Sequence, residues 1–255
     1  TYLGRKKNNG TGTHFMWENR DIRYNVLRAV GYYKGKAVAE DILVLNGLEQ
    51  APHFGILYQD TKPLLKGEDG YNYLYRINCG GDDFTDSFGQ LWMQDNTNYS
   101  RSWAASFNEL NPYLASQRTT NDPIRGSRDW KLFQYFRFGR HQLEYNFPVA
   151  DGMYRIEFYF TEPWHGTGGS ASADCEGLRI FDVAVNDSVV LDDLDIWAES
   201  GHDGACKKVV YAIVKGGLLK IHFPEVKAGQ ALISGIAIAS ANSDSKPTLF
   251  PASDW

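Results

Sequence analysis

The stretch YRIEFYF, residues 154–160, decides the fold class of this chain because apolar and polar side chains alternate along it. One face of the segment carries Tyr154, Ile156, Phe158 and Phe160, and the opposite face carries Arg155, Glu157 and Tyr159. A repeat of two residues is typical of a β-strand with one face against a core. The segment is therefore predicted to be a half-buried strand.

Four more segments extend this strand pattern. LKIHF (219–223) and IFDVAVND (180–187) alternate in the same way, while VVYAIVKGG (209–217) and ISGIAIAS (233–240) are more continuously apolar, as interior strands of a sandwich can be. No long amphipathic helix pattern occurs, and residues 108–118 have room for at most a short helix. The chain is therefore predicted to be all-β, with an antiparallel β-sandwich as its main part.

The N-terminal region differs from the rest of the chain. Residues 1–50 contain two strand-like runs around a Lys34-Gly35 turn, a unit too small to be a whole sandwich. Residues 51–70 are predicted to be an exposed linker, because Lys, Asp and Gly are frequent there. The main domain is predicted over residues 71–240, and residues 241–255 form a C-terminal tail.

Composition excludes several classes of function. The 255 residues carry a net charge of -5, and the 26 Lys and Arg residues form no basic stripe, so no nucleic-acid partner is indicated. No run approaches the roughly 20 apolar residues that cross a bilayer, so no membrane partner is indicated either. The chain begins without Met and in the middle of a pattern, which we interpret as a fragment of a longer protein.

Cysteine and aspartate residues are the remaining candidates for bridges and metal ligands. A disulfide between Cys175 and Cys206 stays an alternative, but we favour buried free thiols for Cys79, Cys175 and Cys206. The three cysteines match no metal-ligand spacing. The acidic cluster of Asp192, Asp193 and Asp195 lacks the Gly and final Glu of an EF-hand loop. Acidic side chains in turns are usually solvated or accept hydrogen bonds from backbone amides, so we expect a structural role and no cofactor, with structural calcium as the alternative.

A resemblance to a known family rests on RINCGGDDFTDSFGQLWMQD, residues 76–95. This segment contains an Asn78-x-Gly80-Gly81 turn and then a Gly89-x-x-Trp92-x-x-Asp95 element, and further matching segments follow at 132–139, 154–164 and 181–202. In order and spacing they resemble the malectin and malectin-like carbohydrate-binding domains over about residues 71–240. The resemblance implies a galactose-binding-like, jelly-roll β-sandwich that binds carbohydrate.

The preceding segment LRAVGYYKGKAVAED, residues 27–41, carries a second resemblance. It is similar to the end of the immunoglobulin-like domain that precedes a malectin-type module in bacterial family 2 glycoside hydrolases of the β-galactosidase and β-glucuronidase kind. The two resemblances imply the C-terminal part of such an enzyme, with the parent catalytic domain as partner and a periplasmic or extracellular location.

The malectin resemblance also implies sugar-contacting residues. Family ligand positions fall on Trp103, Phe138, Trp164 and His165, with Tyr99 close to Trp103. The family's late-loop aspartate falls around Ala228, where no carboxylate occurs, so Glu225, Lys227 or Gln230 is expected to substitute. This departure means that the family's preference for α-glucosyl disaccharides is not transferred.

The aromatic residues differ in their expected exposure. Trp164 follows Pro163 beyond a strand and precedes a Gly-rich loop, so we expect it to be exposed. Phe138 alternates with Phe136, which is equally consistent with a core position. Core or partly buried packing is the expectation for Trp92, Trp130 and Trp197.

Two functional hypotheses follow for this fragment. No Gly-x-Ser-x-Gly elbow or paired-histidine zinc motif occurs, and the carboxylates show no obvious catalytic pair, so we expect no catalysis. The leading hypothesis is a carbohydrate-binding module that targets its parent enzyme through aromatic stacking. The alternative is a structural or oligomerisation module of the same enzyme with no functional sugar site.

Overall fold

The computed structural model describes residues 2–10, 12–45, 48–49, 51–52, 63–95, 116–140, 143–166, 174–242 and 245. Within these residues the chain forms sixteen strands and two short helices. The strands are β1 Val26–Tyr33, β2 Lys36–Val44, β3 Asn72–Asn78, β4 Phe84–Thr85, β5 Leu91–Gln94, β6 Ser116–Thr119, β7 Tyr135–Gly139, β8 Glu144–Pro148, β9 Gly152–Phe160, β10 Ile180–Val185, β11 Ser188–Leu194, β12 Cys206–Val214, β13 Leu218–His222, β14 Val226–Ala228, β15 Ala231–Ile233 and β16 Gly235–Ser240. The helices are α1 Trp130–Gln134 and α2 Ile196–Ser200.

The predicted N-terminal hairpin is confirmed as the antiparallel pair β1–β2. Lys34 and Gly35 both have positive φ, at 48° and 80°, as both central residues of a type I′ hairpin turn must. Arg28 and Glu40 form a two-point ion pair across the hairpin. The assignment of this hairpin to an immunoglobulin-like domain stays a prediction.

Three sheets form the main domain. The six-stranded sheet has the order β12-β9-β16-β3-β5-β4, the five-stranded sheet has the order β11-β10-β13-β8 with β14 beside β10, and the three-stranded sheet has the order β15-β7-β6. All described strand pairs in them are antiparallel except the parallel pair β3–β5. The predicted all-β sandwich is therefore confirmed, with one parallel pair that the sequence did not indicate. Among the described residues, no helix has the length and apolar character needed to cross a membrane.

The main core lies between these sheets. Ile156, Phe158 and Phe160 of β9 meet Phe181 and Val183 of β10 in one apolar cluster. The alternation predicted for β13 is also confirmed, since Leu219 and Ile221 are fully buried. Burial of these apolar side chains is the main contribution to the stability of the sandwich.

A second core covers the other face of the six-stranded sheet. It contains Leu65, Trp92, Phe133 and Tyr159, with Trp92 and Tyr159 rings 5.2 Å apart in an edge-to-face arrangement. The prediction that β9 is half-buried is therefore wrong, because Tyr159 is as fully buried as the residues facing the main core. The prediction that residues 51–70 form an exposed linker is wrong at Leu65, which is buried in this cluster.

Strand β12 was predicted to lie in the interior and is instead an edge strand. It pairs with β9 on one side and ends the order of its sheet. Its side chains Val209, Tyr211 and Ile213 point outward, and Ile213 is 62% exposed. An apolar run cannot distinguish an interior strand from an edge strand with one uncovered face, because both are rich in apolar residues.

A buried part of the main domain contains the motif residues Asn78, Gly80, Gly81 and Asp95. Gly80 has a φ of 80° and donates its N–H to Asp95 Oδ2 over 3.1 Å. A Cβ atom at Gly81 would clash with the side chain of Asn78, so a larger residue there would require Asn78 to move. Asp95 also pairs with Arg137 and accepts a hydrogen bond from the Tyr145 hydroxyl. These residues therefore have structural contacts.

Candidate functional site

The end of β9 carries the candidate site. Past Phe160 the chain turns at Glu162, whose side chain is fully buried. Glu162 Oε1 accepts hydrogen bonds from the backbone N–H groups of Trp164, over 2.9 Å, and His165, over 3.0 Å. Because one carboxylate oxygen holds two consecutive amides, the direction of the turn that presents Trp164 and His165 is fixed by Glu162.

Arg179 connects this turn to a second loop. Its Nε and Nη2 atoms donate to the Glu162 carboxylate, and its Nη1 donates to the backbone carbonyl of Gln230 over 2.6 Å. Gly229 beside it has a φ of 64°, and a Cβ atom there would lie 2.8 Å from the Leu178 carbonyl oxygen. The buried ion pair therefore holds the Gln230 loop next to the Trp164 turn.

The ionisation of Glu162 follows from these contacts. Burial disfavours the charged carboxylate, but the Arg179 guanidinium and the two backbone donors outweigh it, so the pKa of Glu162 lies below its ordinary value. Glu162 is therefore ionised near neutral pH, and its charge is balanced by Arg179. This pair is a scaffold element and supplies no exposed negative charge to a ligand.

Trp164 is the exposed aromatic surface of the site. Its side chain is 61% exposed, which confirms the exposure expected from its Pro-Trp-His-Gly context. The guanidinium carbon of Arg118, on β6, lies 5.9 Å from the centre of the Trp164 ring. An exposed indole beside polar donors has the two features that sugar recognition requires, namely an apolar face and nearby hydrogen-bonding groups.

Phe138 and His165 have more limited access to solvent. Phe138 is half-buried on β7, where its ring lies 6.1 Å from that of Phe136 and packs against the main core. Its strand neighbour Gly139 lies opposite Ala231, which directly follows Gln230. His165 is half-buried beside Trp164. The structure thus brings Trp164, His165 and Gln230 together and leaves Phe138 mainly a packing residue.

Lys227 points to the acidic turn. Its ammonium group pairs with Asp193, which has a φ of 50° and donates its N–H to Asp182 Oδ1 over 2.9 Å. Asp195 caps helix α2, accepting from Ala198 N over 3.0 Å. The expected hydrogen bonds from backbone amides are confirmed for Asp195, whereas the Asp193 carboxylate pairs with Lys227 and Asp192 is exposed.

Two groups of side chains have the spacing of metal ligands. One is Asp182, Asp192 and Asp193, and the other is Asp122, His202 and Asp203. In the second group His202 Nε2 lies 2.9 Å from Asp203 Oδ2, and burial raises the pKa of Asp203. In the first group Asp193 forms an ion pair with Lys227, and in the second group His202 contacts Asp203. Cys79, Cys175 and Cys206 are buried thiols with no bridge between them.

Trp103 and Tyr99, two of the predicted contacts, lie outside the described residues. The tryptophans expected in packing positions are there: Trp92 is fully buried, and Trp130 and Trp197 are partly buried. Sequence reasoning missed Arg118 and Arg179. The signal for Arg179 was a single arginine directly before the buried strand β10, a position that requires an acidic partner.

The described buried glutamates do not form a glycosidase pair. Glu157 contacts Lys207 and Arg155 at 3.0 and 2.9 Å, and although burial opposes ionisation, Lys207 and two tyrosine hydroxyls lower its pKa. Glu162 is ionised for the same kind of reason. A glycosidase acid needs a raised pKa and a facing carboxylate. Neither glutamate meets this requirement.

Comparison with known proteins identifies the family of this chain. The family model described as "Malectin domain" matches residues 73–242. The chain therefore belongs to the malectin-domain family, whose fold is carbohydrate-binding.

Individual relatives agree with this assignment. Malectin of Danio rerio is 26% identical over 150 residues, which are 58% of this chain and 47% of that protein, and Malectin of Mus musculus is 26% identical over 149 residues, covering 58% and 45%. The chain thus spans about half the length of the curated relatives it matches.

Two solved structures extend the comparison. A β-glucuronidase of Bacteroides uniformis is 25% identical with a TM-score of 0.54, the match covering 84% of this chain and 22% of that one. The plant receptor-like kinase FER is 14% identical, with a TM-score of 0.53. The match covers 87% of this chain and 73% of that chain, and it shows a shared fold alone.

Proposed function

We propose that this chain is a non-catalytic carbohydrate-binding module that targets a parent glycoside hydrolase to a poly- or oligosaccharide. The observation that carries the proposal is the exposed Trp164 indole on a turn fixed by the buried Glu162–Arg179 pair. A rigid aromatic platform loses little conformational entropy when a pyranose stacks on it. Binding near the parent's active site would raise the effective substrate concentration there.

The comparisons support a parent enzyme of the β-glucuronidase kind, since the matched part of the Bacteroides uniformis β-glucuronidase is 22% of that chain. We propose that the catalytic domain lies elsewhere in a longer chain and acts on substrate held by this module. A parent that degrades polysaccharide would work in the periplasm or outside the cell. We propose no cofactor for sugar binding, so EDTA should leave the affinity unchanged.

Affinity electrophoresis and calorimetry test this proposal. The folded protein is titrated with galactans, xylans, glucans and uronic-acid polymers, and we expect saturable binding to at least one of them. Trp164→Ala should weaken that binding by about tenfold or more, because a central aromatic anchor is lost. Ile213→Ala is the matched control, since Ile213 is 62% exposed on the edge strand β12. A folded protein that binds none of these polymers would defeat the proposal.

One observation favours the alternative, a structural or oligomerisation module. The outward face of β12 carries Val209, Tyr211 and Ile213, and Met153, opposite Ile213 on β9, is 62% exposed. Such an apolar stripe suits contact with another part of the parent or with a second copy. Light scattering after size exclusion separates the two: dimers that Ile213→Lys dissolves, together with no sugar binding, would favour the alternative.

A further inference from the structure

The charge around Trp164 is unusual for this chain. The protein as a whole carries a net charge of -5, yet the exposed side chain of Arg118 lies against the Trp164 ring. A guanidinium within about 6 Å of an indole centre is attracted by the ring electrons. The contact holds Arg118 beside the stacking surface.

No described carboxylate pairs with Arg118. The carboxylate closest in sequence to Trp164 is Glu162, and Arg179 already balances its charge. Arg140, exposed at the end of β7 next to the pair Gly139–Ala231, is likewise without an acidic partner among the described residues. Arg118 is therefore an exposed positive charge at the Trp164 ring that no described carboxylate pairs with, and its N–H donors are open to a ligand.

We propose that the ligand is an acidic sugar, a pyranose bearing a carboxylate, as in a uronic acid. This inference rests on the proposed function and adds the substrate class. The sugar's C–H face would stack on Trp164, and its carboxylate would accept two hydrogen bonds from the Arg118 guanidinium. The planar fork of a guanidinium matches a carboxylate in this way, and such charge-assisted pairs are stronger than neutral hydrogen bonds.

The arrangement also predicts an order of ligands. A neutral sugar can use the Trp164 face but gains nothing from the charge of Arg118. An amino sugar is repelled by Arg118. The expected order of affinity is therefore acidic, then neutral, then cationic sugars, and the advantage of the acidic sugar should shrink as salt screens the exposed guanidinium.

The test compares one oligosaccharide in two forms. A glucuronic acid oligosaccharide and its carboxyl-reduced form differ only at C6, where a carboxylate is replaced by a neutral hydroxymethyl group. Calorimetry of the folded protein should show about tenfold tighter binding of the acidic form. Arg118→Gln should abolish that difference, because it should weaken binding of the acidic form by about tenfold and binding of the reduced form by a much smaller factor. Lys215→Gln is the matched control, because Lys215 is exposed in the turn after β12, at the other end of β9 from Trp164.

The outcomes separate the inference from the proposed function. Equal affinity for the two forms, or an Arg118→Gln effect of the same size on both, overturns the acidic-sugar inference and leaves a sugar-binding module. Tighter binding of a sulfated galactan than of the glucuronic acid oligosaccharide also overturns the carboxylate assignment. Binding of no sugar in any form overturns both. A tenfold preference that vanishes in Arg118→Gln and persists in Lys215→Gln supports the inference.

Discussion

At the scale of single residues, the buried Glu162 fixes the geometry of the site. It is fully buried, it fixes the amides of Trp164 and His165, and through Arg179 it holds the carbonyl of Gln230. Exposed aromatic residues recognise a ligand only if their positions are fixed before binding. The buried ion pair supplies this fixed geometry.

Replacing the charge of Glu162 tests this role. Glu162→Gln keeps the shape of the side chain but leaves the buried Arg179 without a counter-charge, so we expect a loss of about 3–5 kcal/mol in the free energy of unfolding. The matched control is Glu199→Gln, which breaks the 2.6 Å pair with Lys208 near the surface and should cost only about 0–1 kcal/mol. Urea unfolding measures both. Equal costs would show that the Glu162–Arg179 pair is no more important than a surface pair.

At the scale of elements, strands β9 and β12 show what the sequence pattern can and cannot predict. Alternation in β9 correctly predicts a strand, but it cannot show that Leu65 and Trp92 cover the second face, since these residues lie far away in the chain. In β12 the apolar run predicts a strand, and its place at the sheet edge depends on which strands pair. Pairing order is a property of the whole fold, so no local pattern contains it.

The edge position of β12 gives a prediction for adjacent residues. Ile213 is 62% exposed, and the next residue, Val214, is fully buried. Ile213→Lys should change the free energy of unfolding by less than about 0.5 kcal/mol, while Val214→Lys should cost more than about 4 kcal/mol by burying an unpaired charge. Thermal and urea unfolding compare the two variants. Similar costs at both positions would contradict the assignment of β12 as an edge strand with an uncovered outer face.

The elements of the site were predictable to different degrees. Trp164 could be found because Pro163 and a Gly-rich segment surround it just beyond a strong strand pattern. Lys227 could not be assigned, because its partner Asp193 lies in a distant turn and draws its ammonium group there. Arg118 gives no local signal, since its contact with Trp164 exists only once β6 has joined its sheet. Long-range contacts therefore decide which polar residues reach the site.

At the scale of the whole molecule, two cores share the six-stranded sheet. One buried glutamate lies within its strand β9, and another lies beyond the end of that strand. Glu157, on β9, contacts Lys207, Arg155 and the hydroxyls of Tyr73 and Tyr159. Glu162 lies beyond the end of the same strand. The charged forms of both are needed for their contacts, so the stability of the domain is linked to their ionisation.

This linkage predicts acid sensitivity. The folded pKa values of Glu157 and Glu162 both lie below their ordinary value of 4.5, because cations and donors outweigh burial. Their stabilisation is then fully present above pH 4.5 and is lost as the pH falls through the lower folded values. The urea concentration at the unfolding midpoint should therefore drop steeply below about pH 4.5. In Glu157→Gln the drop, measured from the midpoint of that variant at pH 7, should be less steep. If the urea midpoint of the variant falls with pH as steeply as that of the unchanged protein, ionisation of Glu157 does not contribute to the acid sensitivity.

The most direct measurement of the central claim is the indole N–H resonance of Trp164 during titration with a bound oligosaccharide. The resonance is assigned as the one missing from Trp164→Ala. We expect it to shift saturably with the affinity found by calorimetry, while that of Trp92, which is fully buried and hydrogen-bonded to Asp86, stays in place. A Trp164 resonance that does not move while the sugar binds would contradict the claim that this ring is the binding surface.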